Sequence, residues 1–368
     1  SHFVDGLMAP LPVPEGRQIR ILRLWSAAQG HAVSPTTHDY EIWRMSLSTF
    51  EEIAAFRQTA YNLDADAGGS TVVRGAEVTA SAFAVLRVAP LLGRPILPAD
   101  EVPGEADVVV IGYDLWQSRF GGDPNIVGRS IRVGGVSRTV VGVMPKGFRF
   151  PMQELLWTPL RVAPGRAPES AEPVQIFGRL AEGVDDARAS AEFAAVAERS
   201  AVPGRDRHLR PQVRPFAYIL LPGLSGGLKS SPEFLASQSL ALMVLLVACI
   251  NVAMLVFART ATRGNELAVR TALGASRTRI VTQVFVECLV LTILASGAGL
   301  LLLASLPDLI LRVVPGTWAA ALPYWIRWEV GPTTAIRALA LACVGAGVAG
   351  VVPALRFTGM QVQSTIQR

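Results

Sequence analysis

Two glycine-rich segments resemble nucleotide-binding motifs. Gly345, Gly347 and Gly350 match the GxGxxG pattern, which binds dinucleotides when it follows a strand and opens a helix. Here the pattern lies within a strongly apolar stretch, where small residues let transmembrane helices pack closely. Segment 226–230 lacks the glycine that precedes the lysine of a phosphate-binding P-loop. The sequence therefore predicts no nucleotide site of either type, and any ATP that drives this protein is expected to bind another subunit.

The histidines, acidic residues and cysteines do not have the spacing of a metal or catalytic site. None of the four histidines forms an HExxH pattern, and surface positions are the simpler interpretation. They are His2, His31, His38 and His208. Adjacent acidic pairs, Glu51-Glu52 and Asp185-Asp186, do not converge on one substrate from a helix and are interpreted as solvated helix starts. The three cysteines lie in apolar runs, so neither a disulfide framework nor a zinc site is expected. The sequence predicts no catalytic residue, no metal and no cofactor, although side chains distant in sequence could still form an enzymatic site.

An arginine-rich segment, residues 264–279, has the pattern of a short amphipathic helix. Glu266 and Arg270 are four residues apart and pair on one helical face. The apolar stripe consists of Ala268, Val269, Ala272 and Leu273. Gly274 is expected to end or kink the helix. Such a helix between two membrane spans lies on the membrane surface or docks into a partner protein. An ordinary positively charged cytoplasmic loop is the alternative.

Composition indicates a membrane protein. Of 368 residues, 51% are hydrophobic and 17% charged, against about 25% charged in soluble domains. The formal net charge is +5. From residue 238 onward there are ten arginines, no lysine and four acidic residues, so the basic excess lies entirely in the apolar part. This distribution argues against a nucleic-acid partner and favours contact with membrane lipid.

Three stretches are long and apolar enough to cross a bilayer, which requires about 20 residues. They are residues 240–258, 284–306 and 338–355. Loop 259–280 carries five arginines and is predicted to be cytoplasmic, which places residues 1–237 and 307–336 outside the cytoplasm. The aromatic residues Trp318, Tyr324, Trp325 and Trp328 are interpreted as interfacial anchors. Glu287, near the start of the second span, is interpreted as solvated or paired with a loop arginine rather than as a proton relay.

The part before the spans is predicted to be a mixed α and β domain. Strands are expected at 18–24, 108–111 and 174–180, and helices at 113–120 and 185–200. A capping-box pattern at 48–51 predicts a helix through Arg57. Two β-rich runs in 130–144, joined by Gly134 and Gly135, predict a hairpin. Segment 222–229 is expected to be a flexible joint before the membrane.

Many short motifs, found in order across nearly the whole chain, resemble those of the MacB/FtsX-like permease subunits of ABC transporters in sequence and spacing. The exported part contributes 73–78 (VRGAEV), 83–94 (FAVLRVAPLLGR), 115–124 (LWQSRFGGDP), 127–129 (VGR), 140–145 (VVGVMP) and 147–151 (GFRFP). The membrane part contributes 248–253 (ACINVA), 266–270 (ELAVR), 272–275 (ALGA), Glu287 and 353–356 (PALR). Each motif alone is weak, and their combination is specific.

The resemblance implies an α+β extracytoplasmic core domain of the MacB type, residues 1–237, followed by an all-α FtsX-like permease domain, residues 238–368. It implies four membrane spans per unit, the first preceding the exported domain, so this sequence is expected to be N-terminally truncated. A multi-pass protein of the bacterial inner membrane is implied.

Its expected partners are an ABC-type ATPase and a second permease unit, in a homodimer or a pseudo-dimer of fused units. The implied ATPase contact comprises Glu266, Leu267, Val269, Arg270, Leu273 and Gly274. Through it, ATP hydrolysis would drive export or mechanical work outside the cell. A membrane-anchored binding or scaffold protein without transport is the alternative function. The cargo and the particular ATPase do not follow from the resemblance.

Overall fold

The structure, a computed structural model, describes residues 9–64, 70–161, 171–199, 209–220, 277–313, 323–325 and 332–346, with parts of 235–258. The chain divides into two compact units. The first unit contains residues 3–225 and returns to include residues 316–327. The second unit contains residues 226–315 and 328–368. Residues 316–327 therefore belong to the first unit, although residues 226–315 of the second unit separate them from the rest of it in the sequence.

The first unit is built on one mixed β-sheet, which has eleven strands within the described residues. The strands are β1 Ile19–Ser26, β2 His31–Val33, β3 Phe50–Asp64, β4 Ser70–Val78, β5 Leu92–Gly93, β6 Val108–Ile111, β7 Ser130–Val133, β8 Val136–Val143, β9 Leu156–Pro159, β10 Gln175–Leu180 and β11 Leu209–Pro215. Their order is β11-β1-β10-β3-β4-β9-β6-β8-β5, with β2 on β1 and β7 on β3 and β8. Most neighbours are antiparallel, while β4 with β9 and β6 with β8 run parallel.

Among the described residues, four α-helices accompany this sheet: α1 Thr37–Ser46, α2 Ser81–Leu86, α3 Tyr113–Phe120 and α4 Asp186–Arg199. The first begins at a capping box, in which Thr36 and Asp39 satisfy each other's backbone amides. Helix α3 ends at Gly121 in the left-handed conformation, as glycine allows. The predicted helices at 113–120 and 185–200 are confirmed within one residue.

The predicted hairpin is confirmed. Strands β7 and β8 pair from Ser130 with Thr139 to Val133 with Val136. Gly134 and Gly135 form the turn with φ of 60° and 77°. A two-residue turn with positive φ at both positions matches the right-handed twist of the strands and strongly favours glycine. The predicted strands at 18–24, 108–111 and 174–180 are also confirmed.

The predicted helix from Ser48 through Arg57 is wrong, because this segment enters the long central strand β3. The hydroxyls of Ser48 and Thr49 do not cap a helix but donate hydrogen bonds to Glu192 of α4. The following residues pair with β10 on one side and β4 on the other. Two neighbouring strands therefore override a local capping signal.

The buried side chains of the first unit form three hydrophobic clusters within the described residues. In the helical core, α1 and α4 pack on the sheet, and the rings of Trp43 and Phe193 meet edge to face with centroids 4.6 Å apart. The aromatic core is centred on four phenylalanine rings: Phe56, Phe150, Phe177 and Phe216. The third cluster packs α3 against β6 and β8.

The second unit contains α5 Arg277–Val313 and α6 Pro332–Ala346, which contact each other. Among the described residues, one helix is long and apolar enough to cross a membrane, through Phe285–Leu302 of α5. This window lies in the predicted second span. At 1.5 Å per residue, the 37 residues of α5 extend about 55 Å, well beyond a hydrocarbon core of about 30 Å.

The other two predicted spans are described only in part. A shorter apolar helix, Gln238–Ala248, covers the first half of the predicted first span. Helix α6 begins before the predicted third span and covers its first half. The predicted joint at 222–229 lies outside the described residues.

Candidate functional site

The predicted ATPase contact lies outside the described part of the chain. This applies to all six residues assigned to it, Glu266, Leu267, Val269, Arg270, Leu273 and Gly274. The description resumes at Arg277, where α5 begins. Arg279, Gln283 and Glu287 line a shallow recess beside the first turns of α5, and the amide of Gln283 donates to Glu287 at 3.4 Å. The interfacial position of Glu287 stays a prediction from the sequence.

The aromatic core of the first unit collects residues from distant parts of the chain. The ring centroids of Phe150 lie 4.9 Å from Phe177 and 5.3 Å from Phe216. Phe216 follows β11 and lies near the point where the chain leaves the first unit. Trp325, which returns to this unit after α5, packs edge to face on Phe216 at 5.8 Å. The body of the first unit, the segment that leaves it and the segment that returns to it are thus joined through one cluster of rings.

Trp325 is a correction to the sequence interpretation. It was expected, with Tyr324, to anchor at a membrane interface, but only 3% of Trp325 is exposed and it belongs to the aromatic core. The backbone amide of Tyr324 donates to the carbonyl oxygen of Met152 at 3.0 Å. Burial, together with the nearby Glu154 carboxylate, raises the pKa of the Tyr324 hydroxyl. An aromatic pair in a loop between apolar stretches has the same sequence pattern whether it lies at a membrane interface or in the core of a neighbouring domain.

The turn that receives Tyr324 is fixed by a buried carboxylate. Glu154 is 1% exposed and accepts hydrogen bonds from the amides of Met152 at 2.6 Å and Gln153 at 2.9 Å. The side-chain amide of Gln58 adds a third at 2.8 Å. A carboxylate with several donors holds its local backbone in place. Sequence reasoning did not identify Glu154, because its burial and its contact with Gln58 follow from the tertiary fold, although its other two donors are adjacent in sequence.

The N-terminal segment of the first unit is held by Arg179 of β10, which is 1% exposed. Its guanidinium donates to the carbonyl oxygen of Val85 at 2.7 and 3.0 Å and to that of Pro14 at 2.9 Å. The Glu15 carboxylate lies 3.2 Å away. Leu11, just before, packs into the aromatic core. The residues at the start of the unit therefore join the cluster that contains Phe216 and Trp325.

A groove of about 730 Å³ lies beside α2 in the first unit. Its walls are mainly apolar, with Phe83, Ile96 and Leu97 among the lining residues. Burial raises the pKa of Glu101 at this groove, although the carboxylate also accepts a hydrogen bond from the Ala80 amide. An apolar groove with a desolvated carboxylate has the character of a ligand site.

The groove also carries a chain of hydroxyl groups, and its charges are mixed. The oxygens of Tyr40 and Ser81 are 3.2 Å apart, and those of Ser81 and Thr79 are 2.9 Å apart. Arg44 and Arg87 also line the groove, so its charges do not favour one ligand sign. Among the described residues, no group of three His, Cys, Asp or Glu side chains is placed to hold a metal ion.

Comparison with known proteins gives the family. Residues 7–196 match the model of the MacB-like periplasmic core domain, and residues 239–362 match the model of the FtsX-like permease C-terminal region. No curated protein matches the chain.

Three solved structures are similar to this chain over slightly more than half of its length. A domain described as that of a permease protein from Porphyromonas gingivalis has 14% identity and a TM-score of 0.42, covering 55% of this chain and 92% of that one. The periplasmic region of MacB from Actinobacillus actinomycetemcomitans has 12% identity and a TM-score of 0.42, covering 57% and 94%. The extracellular domain of the noncanonic ABC-type transporter YknZ from Gram-positive bacteria has 12% identity and a TM-score of 0.39, covering 53% and 98%. On the two family models, the chain belongs to the MacB/FtsX-like family of membrane-embedded permeases, which carry a MacB-like periplasmic core domain.

Proposed function

We propose that this chain is the permease subunit of an ABC transporter and couples ATP hydrolysis on a partner ATPase to work outside the cytoplasm. The observation that carries this proposal is the order of the two family domains in one chain, a MacB-like core followed by an FtsX-like permease. The sequence contains neither a P-loop nor a dinucleotide fingerprint in a βαβ context. The proposal therefore places ATP hydrolysis on an ATPase, separate or fused, that lies outside these 368 residues.

The proposed topology places the first unit outside the cytoplasm and loop 259–280 inside. The five arginines of this loop support that orientation. The helix predicted from the sequence at 264–279 would then face the ATPase, and its last three residues already belong to α5. Movement of this helix on ATP binding would pass directly to the spans, as in a lever with two preferred positions. Two such permease units, in a dimer, would complete the transporter.

The groove on the first unit favours a second candidate function, that of an anchored extracytoplasmic binding or scaffold protein. Its volume of about 730 Å³ lies within the range of ligand pockets. This function requires neither an ATPase nor movement of the spans. It predicts that no ATPase accompanies the protein when it is purified from its host.

The test is charge reversal in the coupling helix, measured on the complex purified with its ATPase. Glu266→Arg or Arg270→Glu is expected to lower permease-stimulated ATP hydrolysis about tenfold, because a charged contact at an interface is replaced by repulsion. If both residues contact the ATPase, the double variant should be no better than the single variants; restoration by the double variant would show that the two residues pair with each other on the helix instead. The matched control is Arg132→Glu in β7, an exposed arginine of the first unit, which should leave hydrolysis unchanged.

Unchanged hydrolysis in both single variants would contradict the coupling role of 264–279. Absence of any ATPase from a well-folded preparation would contradict the transporter function and favour the binding or scaffold protein.

A further inference from the structure

The pair Tyr324 and Trp325 is inserted into the first unit from the segment that connects α5 to α6. Trp325 packs on Phe216, and the amide of Tyr324 bonds to Met152. The rings of the pair also pack on each other, with centroids 5.5 Å apart. The helices on either side of this segment belong to the second unit. The chain thus passes from the second unit into the first and back again.

Tyr324 and Trp325 dock on Met152 and Phe216, which we call the seat. Other residues of the first unit hold Met152 and Phe216 in place. The turn at Met152 is fixed by Glu154, which accepts two backbone amides of that turn. Phe216 is held by contacts with Phe56, Phe150 and Phe177. The first unit therefore does not need Tyr324 and Trp325 to shape the surface that they cover.

Docking of the pair buries two polar atoms, which lowers the affinity of the docked state. The hydroxyl oxygen of Tyr324 and the indole nitrogen of Trp325 are buried without a hydrogen-bond partner among the described residues. A buried polar atom without a partner weakens an association by about tenfold or more. Trp43 of the helical core also buries an unpaired indole nitrogen, but it is carried by α1, a helix of ten residues with its own capping box. Tyr324 and Trp325 combine a large apolar contact with two polar losses, which favours docking that is stable but reversible.

We propose that Tyr324 and Trp325 form a reversible latch, which docks on the seat of Met152 and Phe216 and releases while the rest of the first unit stays folded. The role that we give to this latch depends on the proposed function as a permease. Because the latch lies between α5 and α6 in the sequence, movement of either helix would change how readily the pair docks on Phe216. The exported domain would in this way sense the state of the membrane spans through a second connection, besides the chain that follows Phe216.

The latch is tested by amide hydrogen exchange of the full chain in detergent, without the ATPase. We expect the Tyr324 amide to exchange much faster than the central amides of β3 and β4, and much slower than an unprotected amide. Trp325→Ala should accelerate its exchange about 100-fold, since a large buried side chain is lost. Tyr324→Phe should slow it about tenfold, because the unpaired hydroxyl is removed. Tyr113→Phe in α3 is the matched control and should change nothing at Tyr324.

Two results would overturn the latch: exchange at Tyr324 as slow as in β3, which makes the segment a permanent part of the core, or exchange at the unprotected rate. If Trp325→Ala also exposes the strand amides, Trp325→Phe provides the milder variant, with an expected acceleration between wild type and alanine. No acceleration in either variant would also overturn the proposal. Since this experiment uses the chain alone, the absence of an ATPase partner would count against the proposed function and leave the latch to be decided by the exchange rates.

Discussion

The two cores of the first unit are built in different ways. The helical core is closed by residues between Leu22 and Val213, all from the continuous body of the domain. The aromatic core also contains Leu11, Phe216 and Trp325, which lie at the beginning of the unit, near its exit and in its returning segment. The comparison indicates that the helical core is internal to the body of the domain, while the aromatic core also joins that body to the entering, leaving and returning segments of the chain.

The helical core should show the largest effect on stability. Phe193→Ala removes a fully buried ring that packs against Trp43, and Phe→Ala in a core typically costs about 3–5 kcal/mol. Urea unfolding of the full chain in detergent, followed by hydrogen exchange of β3 and β10, measures this cost. The first unit should lose stability as a whole. Loss confined to α4, with the sheet unchanged, would show that the helical core is not the source of the domain's stability.

The aromatic core should respond more locally. Arg179→Met leaves the carbonyl oxygens of Val85 and Pro14 without their buried donor, at a cost of about 2–4 kcal/mol. Exchange should rise mainly in residues 11–18, and β1 should stay protected. Arg132→Met in β7, whose exposed side chain lies 3.6 Å from Asp64, is the matched control and should cost less than about 1 kcal/mol. Equal effects of the two variants would contradict the anchoring role of Arg179.

The smallest effect depends on pH and concerns the contact of α4 with the start of β3. Partial burial acts to raise the pKa of Glu192, but hydrogen bonds from the side chains and amides of Ser48 and Thr49 lower it to about 2. A lowered pKa contributes stability above the unfolded value of 4.5, and this contribution is lost as the pH falls towards 2. Urea midpoints of wild type and Glu192→Gln should therefore differ above pH 5 and converge towards pH 2. A constant difference across this range would contradict the assignment.

Local signals in the sequence predicted much of the fold. Gly134 and Gly135 determine a turn that few other residues can form, and the hairpin at 130–144 follows from that turn. Helix α3 was predicted from its own residues and ends at Gly121. The prediction for 48–57 was wrong because the strand there is imposed by β4 and β10. Pairing with distant strands is not encoded in a local capping pattern.

The candidate site was less predictable. Trp325 and Phe216 are more than one hundred positions apart, so no local periodicity indicates their contact. Arg179 likewise obtains its role from partners that are distant in sequence, and the burial of Glu154 beside Gln58 depends on the tertiary fold. The ATPase contact at Glu266 and Arg270 stays a prediction from the sequence.

The central claim is that the spans and the exported domain respond together to ATP, through the aromatic core. Its most direct test is hydrogen exchange on the full chain purified with its ATPase, compared between the nucleotide-free complex and the complex trapped with ATP and vanadate. The account predicts that exchange at the Tyr324 amide changes by about tenfold or more between the two states, while the amides of α1 and α4 around Trp43 and Phe193 keep the same rates. Identical exchange at Tyr324 in both states of an actively hydrolysing complex would contradict it.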